Sequence, residues 1–147
     1  MIADLTHILP LCRESLAGNH DPTPGSLGAL LYRNGQVAEA IDSLTLDSRR
    51  WEQSGSISIS GYYELLPGYT WYFLSMACHD LGRFAESRTW YDKAEAYTRS
   101  VLAPVDATSQ LDPSNWIRKH SVNWHQRVVL EMLQHETQTL LGIVEPK

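Results

Sequence analysis

Hydrophobic positions in the middle of the chain fall into two helical stripes that meet at one glycine. Before Gly82, the residues Trp71, Leu74, Ser75, Cys78 and Leu81 are spaced i, i+3, i+4, i+7 and i+10. After it, Phe84, Ser87, Tyr91 and Ala94 are spaced i, i+3, i+7 and i+10. Each series keeps to one face of an α-helix. Glycine takes φ > 0 without a Cβ penalty, so Gly82 suits the turn between them. The pattern predicts a helical hairpin.

Residues 25–48 carry the same design. Leu27, Leu30, Leu31 and Asn34 lead to Gly35, and Val37, Ala40, Ile41 and Leu44 form the stripe that follows. In both stretches an apolar residue stands four before the glycine and another two after it. Ala-Glu and a small residue come next, then a large apolar residue four further on. The two glycines lie 47 residues apart (82 − 35). This is an internal repeat, the signature of stacked supersecondary units.

The flanks extend the pattern. Residues 4–17 read as a helix with Leu5, Ile8, Leu9, Cys12 and Leu16 on one side, started late or kinked at Pro10. Residues 49–68 read as an ordered loop over the hairpins. Its Ser56–Ile59 alternation has no partner strand to pair with. The second hairpin is expected to start near Tyr69 or Thr70 and to run to about residue 100. After a second loop, Asp112-Pro113-Ser114 starts a long helix over 114–142. Val122, Val129, Met132, Leu133 and Leu140 are its expected packing stripe, with Trp124 and Val128 beside it.

The repeat resembles the tetratricopeptide family, whose helix–turn–helix unit of about 34 residues carries W-x2-L-G-x2-Y, then A-x3-F, then P. In the first unit Leu27-Gly28 stand at the L-G positions and Ala40 at the Ala, with Leu31 and Leu44 replacing the Tyr and Phe. In the second, Trp71 and Leu74 match, while Ser75, Cys78, Ser87 and Tyr91 substitute for Gly, Tyr, Ala and Phe. Ala94 falls on a later small position, where the first unit has Asp47; Pro24 takes the place of the Trp, and both units lack the terminal Pro. The resemblance covers residues 24–98, and the spacing excess of about 13 residues over the family unit puts an insertion in the 49–68 loop.

What the resemblance implies is an all-α fold: a single domain over 1–147, built as a right-handed superhelical stack of antiparallel hairpins. Its parts are a partial repeat helix (4–17), repeats at 24–48 and 69–100, and a C-terminal capping helix (114–142). The arrangement is similar to the C-terminal tetratricopeptide segments of large bacterial kinase- or WD-repeat-containing proteins, though no glycine-rich kinase loop, HRD or DFG element is present. The implied function is non-catalytic protein–protein interaction, as a scaffold or adaptor that takes a peptide or partner domain in a concave groove. Side chains pointing away from the packing stripe would line it: Ala29, Tyr32 and Arg33 from one unit, and Tyr72, Met76, His79 and Asp80 from the other. A carboxylate-binding groove is disfavoured, because Arg33 is matched by Asp80. The alternative is self-association through the end helices, as a homodimer, or interdomain packing, with the groove filled by loop 49–68.

Composition narrows the rivals. At 43% hydrophobic and 20% charged, with a net charge of −5, the 147-residue chain is ordinary for one globular domain and has no basic balance that would suit nucleic acid. Cys12 and Cys78 lie in apolar helical surroundings and read as buried thiols, with a disulfide or redox pair as the alternative. Among the six histidines, His120 and His125 are five apart, and His79 and Asp80 are adjacent and expected to point apart, so no metal site or cofactor is expected. A Cys78/His79 or His125 acid–base pair lacks any nucleophile-elbow, phosphate-loop or paired-carboxylate signature, which points away from an enzyme. Arg118, Lys119, His120 and Arg127 read as a solvated helix face. No secretory signal is visible and no run approaches the roughly 18 apolar residues of a membrane span, so the expectation is a cytoplasmic protein with no membrane partner.

Overall fold

The structure, a computed structural model, describes residues 23–54, 66–102 and 124–143. Among these residues the chain is all-α: α1 (Pro24–Arg33), α2 (Val37–Ser54), α3 (Pro67–Asp80), α4 (Phe84–Leu102) and α5 (Trp124–Leu141). The expected helix at 4–17, the strand-like Ser56–Ile59 and the helix start at Asp112 lie outside the described residues.

Helix starts follow local chemistry. Thr23 caps α1, its hydroxyl accepting from the Ser26 N–H at 3.3 Å, and Pro24 takes the first position, where no donor is needed. Pro67 takes the same position in α3, so that helix begins two residues ahead of the expected Tyr69. α2 runs on to Ser54, so residues 49–54 are helical where a loop was expected, and α4 continues to Leu102.

Both hairpin corners are three residues long and share one hydrogen-bond scheme. Gly35 (φ +78°) donates to Tyr32 O at 3.0 Å while Gln36 donates to Leu31 O at 2.9 Å. Gly82 (φ +72°) donates to His79 O at 2.9 Å while Arg83 donates to Cys78 O at 2.8 Å. These pairs are the two bonds of a Schellman cap, and they satisfy carbonyls the ending helix would leave unpaired. Gln36 O and Arg83 O then accept the first i→i−4 bond of the following helix, from the N–H groups of Ala40 and Ser87, each at 2.9 Å.

Within each hairpin the helices approach closely at the small residue of the repeat. At Gly28 a Cβ would lie 2.5 Å from Leu44 Cγ. At Ser75, the equivalent position, the facing residue is the small Ser87, and the Ser75 hydroxyl donates to Ser87 O at 2.8 Å.

α3 is the centre of the fold. It packs on α4 within its own hairpin, on α2 and α1 of the first hairpin, and on α5. Eleven of its 14 residues are buried, so it has no solvent face over most of its length. This corrects the one-stripe reading, which placed Tyr72 and Met76 on an outward surface. Both are 0% exposed, and the Tyr72 hydroxyl is paired with Thr98 Oγ1 at 2.9 Å. A helix buried on all sides is apolar all round, and a single stripe does not describe it.

Polar bonds fix the hairpins against each other. Asp47 of α2, 5% exposed, accepts from the Thr70 hydroxyl at 2.6 Å and from Trp51 Nε1 at 3.1 Å; its carboxylate lies where a Cβ on Gly25 would be. Trp71 Nε1 donates to Ser48 Oγ at 3.0 Å. Lys93 of α4 reaches Glu52 of α2, with its ammonium 4.6 Å from the Trp71 ring centroid and 5.2 Å from that of Trp90.

α5 buries Leu130, Leu133 and Thr137. The expected stripe is corrected here too: Val129, Met132 and Leu140 are exposed, at 38%, 65% and 36%, and Leu133 alone of the described stripe residues is buried. Polar residues share the packed side, with Gln134 Nε2 donating to Glu95 at 2.6 Å and Gln138 Nε2 to the Tyr91 hydroxyl at 3.0 Å. An all-apolar stripe search passes over such a face.

Five stability outcomes follow from this packing. Gly82→Val should cost about 1–2 kcal/mol through left-handed strain alone, since the space around its Cβ is open, and Gly82→Asn less. Gly28→Ala should cost about 1–3 kcal/mol through overpacking despite its ordinary helical backbone. Tyr72→Ala should cost about 3–5 kcal/mol, as large-to-small core changes do. Tyr72→Phe should cost about 1–2 kcal/mol through the orphaned Thr98 hydroxyl. Urea midpoints at constant slope read all five, and an unshifted midpoint for Tyr72→Ala would remove that ring from the core.

Candidate interaction groove

The first helices of the two hairpins, α1 and α3, share one side of the fold with α5. Between them lies a depression of about 610 Å³ lined by Tyr32, Met76, Met132, His135, Glu136, Thr139 and Leu140. Its size falls in the range of about 300–1,000 Å³ that seats ligands and anchoring side chains. Met76, sealed from solvent, forms the floor; Met132, at 65% exposure, stands at the open side.

Charged groups along the rim are tied to one another. The Tyr32 hydroxyl donates to Asp80 Oδ2 at 2.9 Å, linking α1 to α3. Arg33 grips Glu136 with both terminal nitrogens, Nη2 to Oε2 at 2.6 Å, linking α1 to α5. The same guanidinium lies 5.3 Å from the Phe73 ring centroid and 5.9 Å from that of Tyr32, and the two rings meet edge to face at 5.9 Å. With both side chains about 40% exposed, the Arg33–Glu136 pair contributes at most about 1 kcal/mol to stability. Its consequence is orientation: the arginine is turned onto Glu136 and is not among the lining residues.

Of the seven groove residues expected from sequence, the structure brings Tyr32, Arg33, Met76 and Asp80 together at or beside the depression. Ala29 is half-buried against the core. Tyr72 lies inside the second hairpin, against Tyr91 and Thr98. His79 turns to the corner, edge to face with Phe84 at 5.2 Å, and its Nδ1 sits 3.7 Å from Asp80 Oδ1. Adjacent side chains on a helix were expected to diverge; at this helix end they converge. Sequence reasoning missed the whole α5 contribution, because Met132 and Leu140 were assigned to packing. The signal that could have found it is the competing stripe Leu130, Leu133, Thr137 and Leu141, which turns Met132, Glu136 and Leu140 outward.

Burial favours the neutral form of the thiol and the phenols inside the hairpins. Burial raises the Cys78 thiol above its ordinary value, and a thiol kept protonated and 1% exposed is a poor nucleophile. Among the described residues no three His, Cys, Asp or Glu side chains converge as a metal site, and no helix is long and apolar enough to cross a membrane. Desolvation by burial raises Tyr32, Tyr69, Tyr72 and Tyr91, and pushes Tyr97 up to about 12; at Tyr32 the bond to Asp80 adds to the effect.

A raised phenol favours the neutral folded form. Its stabilisation is complete below the unfolded tyrosine value of about 10 and is lost as pH rises towards the folded values. The urea midpoint should therefore hold steady up to about pH 10 and fall between there and about pH 12. Tyrosinate absorbance should rise together with loss of helicity; ionisation of these tyrosines near pH 10 in a chain still helical would contradict their burial.

Comparison with known proteins gives no neighbour: no protein-family model, no curated protein and no solved structure matches this chain.

Proposed function

We propose that this chain is a non-catalytic protein–protein interaction module of tetratricopeptide type, its hairpins stacked as a superhelix that holds a partner segment against α1, α3 and α5. The observation that carries the reading is the depression between those three helices, with Met76 at its floor and both apolar (Met132, Leu140) and polar (His135, Glu136, Thr139) side chains of α5 along its wall. Two features of the repeat support the family reading. Both corners carry the same double-bonded glycine turn, and both hairpins have a small residue at the closest helix approach. Interface energy concentrates in aromatic and arginine anchors, and Met surfaces adapt to varied partners; Tyr32, Arg33 and Met132 are of these types.

A second reading is self-association through the outer side of α5, favoured by the 67% exposure of Trp124 and the 65% exposure of Met132. Panning a random displayed peptide library on the immobilised chain, with light scattering of the same preparation, separates the two. The interaction reading expects a monomer that enriches a peptide family, whose binding is lost in Met132→Glu while helicity is unchanged. A dimer with no enriched peptide, dissociated by Met132→Glu, favours self-association. A monomer that enriches nothing ends both.

A further inference from the structure

Counted back from its corner glycine, α5 repeats the layout of the two helices that open the hairpins. Gly142 (φ +68°) donates to Thr139 O at 3.3 Å and Ile143 donates to Gln138 O at 2.8 Å, the bond pair found at Gly35 and Gly82. Twelve, nine and five residues before the glycine stand Thr70, Phe73 and Ala77 in α3 and Leu130, Leu133 and Thr137 in α5, all buried. In α3 this is the side that meets the first hairpin, with Thr70 on Asp47 and Phe73 on Tyr32. Ten and seven residues before the glycine stand the positions that face the second helix of the hairpin. They are Gly25 and Gly28, against Asp47 and Leu44 of α2, and Tyr72 and Ser75, against Thr98 and Ser87 of α4. In α5 the same positions are Met132 and His135, and both are exposed, as is Val128 one turn earlier. α5 thus presents an open seat of the kind that takes an antiparallel helix in both hairpins.

We infer that α5 of a second copy of this chain fills the seat, the two helices packing antiparallel about a twofold axis. The inference rests on the self-association reading and gives it a helix, a sense and a register. The seat is apolar along one row, Trp124, Val128 and Met132, exposed at 67%, 44% and 65%, whereas a helix side left to water is polar. That row is its own complement, as a twofold interface requires. Seating Val128 of each copy on Met132 of the other brings each Trp124 alongside the other copy's Glu136, at the α5 wall of the depression. The indole already stacks on the His125 ring at 3.4 Å, so an aromatic anchor is held in place before it binds. Flanking charges select the antiparallel sense. Arg127 and Glu131 are exposed one turn apart; Arg127 spends one nitrogen on Val101 O at 3.4 Å, and Glu131 makes no ion pair among the described residues. Antiparallel packing sets Arg127 of each copy within a turn of the other's Glu131, whereas parallel packing would oppose like charges. His135 is larger than Gly28 or Ser75, so the seated helix rests on side chains and stands further out than α2 or α4.

Sedimentation velocity of the full chain over a dilution series tests this. The chain should dimerise reversibly, and Trp124→Ala should weaken the dimer about tenfold with helicity unchanged by circular dichroism. Arg127→Glu and Glu131→Arg should each weaken it about fivefold. Combined, they should restore it to within about twofold, because the cross-pairs reform with their signs exchanged. A dimer indifferent to Trp124→Ala, or one that the combined reversal does not rescue, overturns the inference and leaves self-association through another surface standing. A monomer at every concentration overturns the inference and the self-association reading together, and leaves peptide binding as the reading of the groove.

Discussion

Burial of α3 on all sides is the constraint on which the rest of the structure depends. Its residues contact the first hairpin through α2 and α1, the second through α4, and the terminal element α5. Fully burying a large apolar side chain stabilises by about 1.5–3 kcal/mol, and Tyr72, Leu74 and Met76 are buried together on this one helix. Exposed ion pairs such as Arg88–Asp92 or Arg33–Glu136 contribute about 0–1 kcal/mol each. Apolar packing around α3 therefore dominates, and surface electrostatics adjusts orientation.

Close approach makes that packing possible, and each hairpin reaches it by a different residue. Gly28 lets Leu44 press onto the α1 backbone, whereas Ser75 keeps a hydroxyl and satisfies it on Ser87 O. Gly68 serves the same end where α5 meets the start of α3: a Cβ there would lie 2.8 Å from Leu130 Cδ2 and from Tyr97 Cδ1. Tyr72 is paired here with Thr98, and Asp47 with Thr70 and Trp51. A buried donor or acceptor left unmade would cost about 1–3 kcal/mol, so these bonds also fix the register between elements.

The groove is what remains when α5 turns its leucine-bearing and polar-paired side inward. Leu130, Leu133 and Thr137 pack down, which leaves Met132, Glu136 and Leu140 to face the α1 and α3 ends. The rim bonds from Tyr32 to Asp80 and from Arg33 to Glu136 cross between helices far apart in sequence. They order the surface without closing it.

The amino-acid sequence by itself determined the local architecture. Period and glycine placement specified helices, two hairpin corners and their likeness, because a left-handed turn position and a 3.6-residue period are local properties that a chain displays wherever it folds. The small residues at Gly28 and Ser75, and the repeat's large residues at Leu44 and Tyr91, were legible for the same reason. Tertiary structure alone decided how many sides of each helix are covered. Tyr72 and Met76 look outward on a helical wheel, yet α4, α5 and the first hairpin enclose them. Asp47 looks like a misplaced charge in the repeat, yet Thr70 and Trp51, brought from 23 residues ahead and from the next turn, satisfy it. On α5 two stripes of similar composition competed, and the one with Thr137 and two glutamines won because Glu95 and Tyr91 supplied their hydrogen bonds. Which face is buried depends on partners from distant segments, and periodicity along one helix carries no record of them.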